Sequence, residues 1–401
     1  MNTTRRQLLS SSLIAAGAAT SGFLPIQSKA QTASLMPKLR VGLMLPFTGT
    51  FAQLGVAIEN GFRLGLSELG GKIGGREVEF FKVDDESDPS KAIENANKLV
   101  QRDKVDVLVG SVHSGVQLGI QKVVRESGVL NIIPTAALHA ATRSLCAPNV
   151  FRTSYTSYQQ TYALGSALLA KGLKKVVWIS WKYTAGEEML EGFREGFVPK
   201  GGVITKELWA PFPSVEFQAL LTEIAALKPD AVACFFAGAG AAKFMKDYAA
   251  SGLKNKIPLY GAGTLTEGTL EAAGAAAEGV VTTMHYSDAL DTPKNKAFRL
   301  AYAKAFKLQP DVYAVQGYDT AYLLAKGASA VGGDFTKKAT LYKAMETAVI
   351  DSPRGKWKMS PSHNVVQDIY LRQVKNGENK VLGLAIKGLA DPGTGCKMAA
   401  V

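Results

Sequence analysis

Several short stretches of the chain carry residue types that could do chemistry. His113-Ser114-Gly115 sets an imidazole beside a hydroxyl, the pairing that a hydrolytic nucleophile needs. The hydrolase elbow G-x-S-x-G is not met, because Val112 and Val116 stand where its glycines belong. An adjacent His also turns poorly toward its own neighbour as a base. Ser114 does precede a helical pattern, and a hydroxyl beside free backbone N–H groups can hold an anion. Gly238-Ala239-Gly240-Ala241-Ala242-Lys243 follows an apolar strand and opens a helix, as a dinucleotide loop would. Lys243 fills the place of the third small residue, so the stretch reads as a tight strand-to-helix turn. Asp84, Asp85, Glu86 and Asp88 gather four acids without the alternating ligands of a calcium loop. They read as capping by Asp88 and solvated charge. The four histidines are dispersed and no CxxC occurs, so neither a structural zinc nor any other cofactor is expected. Cys234 lies in the apolar run 231–236 and reads as a core thiol. Cys146 and Cys396 sit in loops beside Pro, Gly or Asn and are the expected disulfide pair of an oxidising compartment.

The elements that must position these residues alternate strictly. Strands are predicted at 39–45, 77–83, 106–109 and 130–133, with helices at 52–69, 92–100 and 116–126 between them. Asp88-Pro89 caps and opens the second of these helices. After Phe151-Arg152-Thr153 the pattern restarts, with strands at 175–180, 203–208, 231–236, 259–261 and 279–283 and helices at 161–171, 187–198, 217–226 and 241–251. The halves echo each other: Lys104-Val105-Asp106 and Lys228-Pro229-Asp230 each lead a strand into a small-residue loop. The expected fold class is α/β, with two Rossmann-like, doubly wound lobes of parallel sheet and a ligand cleft between them. Ligands then bind beyond the carboxyl ends of the strands.

Composition sets the outer bounds. The 401 residues are 47% hydrophobic and 20% charged, which suits two folded domains and excludes a disordered polymer. The net charge of +12 is spread without a long Lys/Arg run, so nucleic acid is not an expected partner. Residues 1–30 read as an export signal. Arg5-Arg6 precede a weakly apolar stretch, and Ser28-Lys29-Ala30 offers a small-residue cleavage site after Ala30. The paired arginines point to the twin-arginine route, and the ordinary secretory route also fits. Later segments are too short in apolar run to span a bilayer. A soluble periplasmic protein is expected.

Taken together, the export signal, Val41-Gly42-Leu43 through Pro46-Phe47-Thr48-Gly49, Asp84-Asp85 with Asp88-Pro89, the Gly110–Gly115 loop and Phe151-Arg152-Thr153 resemble the leucine/isoleucine/valine-binding protein family. These are type I periplasmic solute-binding proteins of ABC transporters. The resemblance covers about residues 38–385. It implies two lobes joined by three hinge strands: 38–152 with about 286–353, and about 153–285 with about 354–385, followed by a tail at 386–401. It implies a non-enzymatic protein that closes on a small ligand and delivers it to an inner-membrane permease. In amino-acid binders of the family, the segments matching Ser114 and Pro134 to Ala137 grip the α-carboxylate. Ser114 and Thr135 are present, while Ala137 stands where a second hydroxyl is carried. The acid that pairs with the α-ammonium should fall in Tyr260–Thr264, and that stretch has none. The implied ligand is therefore a small carboxylate without an amino group. Tyr155, Tyr158, Tyr183, Phe212, His285 and Tyr286 supply aromatic rings near the cleft and suit an aromatic acid; half of them are expected to pack the lobes instead. The implied binding residues are Ser114, Thr135, Ala136, Ala137, Tyr155, Tyr183, Ala239, Gly263, Thr264 and His285. A branched-chain amino-acid binder, an exported α/β hydrolase and a sensor module remain the alternatives.

Overall fold

The computed structural model describes residues 36–398, so the export signal read in residues 1–30 lies outside the described residues. The first lobe is built on a six-stranded sheet of β1 (Leu39–Leu45), β2 (Lys72–Ile73), β3 (Arg76–Asp84), β4 (Val107–Val109), β5 (Leu130–Ile133) and β6 (Val150–Arg152). Its order is β2-β3-β1-β4-β5-β6, parallel throughout except for the β2–β3 hairpin. β1, β4 and β5 are buried almost end to end, as central parallel strands covered on both faces must be.

The second sheet contains β7 (Lys175–Lys182), β8 (Val203–Pro211), β9 (Ala231–Phe235), β10 (Leu259–Ala262) and β11 (Val281–Met284) in the parallel order β8-β7-β9-β10-β11. Beyond β11 it turns antiparallel, through β12 (Val349–Ser352), β13 (Gly355–Met359), β14 (Val365–Lys375) and β15 (Glu378–Leu389). The sheets are therefore mixed, not purely parallel as strict alternation implies. The reason is local: β12 to β15 follow one another through short turns, and a short turn can join only antiparallel strands. β12, before residue 354, and β15, which runs past residue 385, both belong to this second sheet.

The helix Val312–Ala330 belongs to no predicted element, yet it packs along Ala52–Glu68 of the first lobe. Glycines make that approach possible. A Cβ on Gly61 would sit 1.9 Å from the Ala314 carbonyl oxygen, and one on Gly317 would sit 2.0 Å from that of Ile58. Among the described residues no helix is long and apolar enough to cross a membrane.

Candidate functional site

Each sheet has a switch point, where neighbouring strands send their following segments to opposite faces. It lies between β1 and β4 in the first lobe and between β7 and β9 in the second. Segments leaving these strand ends wall a cavity with about 350 Å³ of empty space, counting the part open to solvent. Phe51 and Leu54 follow β1, Val112 and Ser114 follow β4, and Thr135 and Ala137 follow β5. From the other side come Tyr183, Ala185 and Met189 after β7, Phe235 and Ala237 at β9, and Thr264 after β10; Tyr155 and Tyr313 complete the wall.

Ser114 is the first residue of the helix Ser114–Ser127 and is 1% exposed. His113 caps this helix: its Nδ1 accepts from the Gly115 N–H at 3.0 Å. That nitrogen is thereby occupied, and the ring's Nε2 makes no hydrogen bond among the described residues. The two residues do not form a nucleophile and base. Burial pushes His113 down to about 4, so at neutral pH it is an uncharged ring. That ring stacks on Tyr183 at 4.9 Å and lies near Phe212 and Phe51, which joins the lobes beside the cavity. The loop ahead of Ser114 is fixed by Gln117, which accepts from the Ser111 N–H and donates to Asn131 on β5.

Thr135 spends its proton on Gln316 Oε1 at 2.6 Å, and Thr264 donates to the Phe236 carbonyl at 3.0 Å. Each can still accept. Ala185 and Met189 ride on the helix Thr184–Phe197, which is held to the first lobe through Glu188. That carboxylate takes the His139 N–H at 2.8 Å and the Ser157 hydroxyl at 3.2 Å, and burial pushes it up to about 7.

Six of the ten sequence-derived residues therefore meet at the cavity: Ser114, Thr135, Ala137, Tyr155, Tyr183 and Thr264. The other four do not. Ala136 packs into the first-lobe core, with its N–H on Ser111 O. Ala239 is exposed on the second position of its helix, and Ala237 takes the wall position because its extended cap backbone precedes that helix. Gly263 has both backbone groups engaged, its N–H by Gln160 Oε1 and its carbonyl by Arg372. His285 lies one layer back, its ring 5.4 Å from Tyr155 and its Nε2 3.4 Å from Gln316. Of the further aromatic rings, Phe212 packs behind Tyr183, Tyr286 bonds to Asn295 in the core, and Tyr158 lies against Tyr162. Phe51, Leu54, Phe235 and Tyr313 are wall residues that the sequence reading does not name. Phe235 ends β9 and Phe51 and Leu54 lie where the chain leaves β1 for its helix, so their signal is position, and for Tyr313 even that is missing.

Among the described residues, no Asp, Glu, Lys or Arg lines the cavity. Glu267, the acid nearest the Tyr260–Thr264 stretch in sequence, is buried against Arg372 and accepts the Val312 N–H at 3.0 Å. Asp84 and Asp88 bind backbone N–H groups at turn and helix starts, and Asp85 accepts from Ser87. Cys146 and Cys396 are joined as a disulfide with Cα atoms 5.6 Å apart, and Cys234 is a buried free thiol.

Two mixed sheets facing each other across one cavity point to a single architecture, and the sequence agrees. A sequence model for "Periplasmic binding protein" matches residues 38–379. The chain belongs to the periplasmic binding protein family. Like the relatives it resembles, it is a solute-binding protein of the ABC-transporter type. Leu/Ile/Val-binding protein homolog 6 of Brucella melitensis biotype 1 is 30% identical over 367 residues, covering 89% of this chain and 92% of that protein. Among solved structures, a solute-binding protein of an R. palustris ABC transporter in complex with benzoate is 50% identical with a TM-score of 0.88. The match covers 90% of this periplasmic binding protein and 99% of that chain. A second, from Rhodopseudomonas palustris BisB5 in complex with 3,4-dihydroxybenzoic acid, is 32% identical with a TM-score of 0.84, covering 89% and 99%.

Proposed function

We propose that this protein captures a small aromatic monocarboxylate in the periplasm and presents it to an ABC permease. The single observation that carries the reading is the composition of the cavity wall. Among the described residues it holds aromatic and aliphatic side chains, a few hydroxyls and the start of the Ser114 helix, and no ionised group. A carboxylate is served there by the Ser114 hydroxyl and the positive end of the helix. An α-ammonium would be desolvated without a counter-charge, which is strongly unfavourable. Phe51, Tyr155, Tyr183 and Phe235 line the cavity, and aromatic faces of this kind suit a flat ring. The benzoate and dihydroxybenzoate complexes of the two similar proteins support the same ligand class. The paired arginines and the Ala30 cleavage site support export.

Binding stabilises a protein by RT ln(1 + [L]/Kd), about 2.7 kcal/mol at a hundredfold excess over Kd. A thermal-shift panel of benzoate, hydroxybenzoates, leucine, isoleucine and valine tests the proposal. The aromatic acids should raise the melting temperature and the amino acids should leave it unchanged. Stabilisation by leucine or valine alone would overturn the reading.

A further inference from the structure

We propose that the Tyr313 hydroxyl determines specificity by hydrogen-bonding a hydroxyl on the ligand's ring, so that ring-hydroxylated aromatic acids bind better than unsubstituted ones. This deepens the aromatic-acid reading of the same cavity and rests on it. Tyr313 lines the cavity, is 0% exposed, and its phenolic oxygen makes no hydrogen bond among the described residues. A phenylalanine would fill the same space. A buried hydroxyl left unpaired is destabilising, so its partner belongs in the cavity.

The neighbourhood says what that partner is. Tyr313 is the second residue of the helix Val312–Ala330. Asp311 caps this helix by accepting the Ala314 N–H at 2.9 Å, and Glu267 accepts the Val312 N–H at 3.0 Å. Two carboxylates thus flank the residue, Glu267 being countered by Arg372. Burial first, then Tyr155, Asp311 and Glu267, hold the Tyr313 phenol firmly in its protonated form. The same surroundings oppose a second negative charge, so the ligand carboxylate goes to the Ser114 helix start. A cation would suit a negative field, but neither carboxylate reaches the cavity wall. What fits is a neutral group that donates and accepts, as a ring hydroxyl does.

The test is calorimetric titration of the wild type and Tyr313→Phe with benzoate, 3-hydroxybenzoate and 4-hydroxybenzoate. The wild type should bind one hydroxy isomer at least tenfold more tightly than benzoate, a factor of ten being 1.4 kcal/mol. Tyr313→Phe should lose about tenfold or more for that isomer and keep its benzoate affinity within about twofold. Its ligand-free melting temperature should not fall, since only an unpaired hydroxyl is removed. Equal losses for all three acids would assign Tyr313 to the carboxylate and overturn the proposal, as would no loss for any. Benzoate bound more tightly than both hydroxy acids would overturn it and leave the aromatic-acid reading standing. Failure of all three to bind the wild type would overturn that reading as well.

Discussion

Ser114 and Thr135 are both hydroxyl residues just past strand ends, yet they offer the cavity different chemistry. Thr135 has given its proton to Gln316, a partner 181 residues away, and can only accept. Ser114 remains a donor beside a helix start. A charge-assisted hydrogen bond is worth about 1.5–3 kcal/mol, and 1.4 kcal/mol is a decade in affinity. Ser114→Ala should therefore weaken benzoate binding tenfold to a hundredfold while leaving the ligand-free melting temperature unchanged. Calorimetric titration of that variant decides it; unchanged affinity would mean that the carboxylate docks elsewhere. The residue scale also shows why a sequence yields only part of a site. Ser114, Thr135 and Thr264 are legible because each stands just beyond an apolar strand. Ala239 is misplaced by two positions because the wall is reached from the extended cap residue Ala237, not from the helix it precedes. Gly263 is legible as a strand-end residue, but its distant partners Gln160 and Arg372 leave no trace near it in the chain.

The alternating βα pattern up to residue 284 is readable because buried strands and amphipathic helices differ in period. The later elements carry weaker signals. Val312–Ala330 is buried on nearly every face, so it shows little helical stripe, and β12 to β15 mix charged and apolar residues on partly exposed strands. Yet Val312–Ala330 brings Tyr313 to the cavity and Gln316 to Thr135. Its seat depends on glycine. Gly238, with φ +58° and the Thr50 carbonyl oxygen 2.7 Å from where a Cβ would stand, serves a similar close approach between lobes. At Gly61 a methyl group would collide with the Ala314 carbonyl, and overpacking of this kind costs about 1–3 kcal/mol. Gly61→Ala should lower stability by that amount in denaturant unfolding, despite the better helix propensity of alanine. A change within about 0.5 kcal/mol would contradict the close helix contact.

At the scale of the molecule, two lobes are joined by crossing segments that share one buried cation. Arg354 donates to the carbonyls of Thr153 at 2.6 Å and Ser154 at 3.3 Å and to Gln367 at 2.8 Å, and it pairs with Asp319 at 2.8 Å. The crossings are thereby clamped together while the lobes on either side carry the cavity wall. Beyond the last strand, Asp391 pairs with Arg143 and Cys396 with Cys146, tying the chain's end to the segment after β5. The disulfide spans 250 residues of sequence, for which a chain-entropy account gives about 5.5 kcal/mol. A ligand that touches both lobes only when they are closed shifts the population toward closure. The proposed solute is an aromatic acid and not an amino acid. The most direct measurement is calorimetric titration of ligand-stripped protein with benzoate and with leucine. Benzoate should show saturable one-site binding and leucine no heat of binding. Saturable binding of leucine with none of benzoate would contradict it.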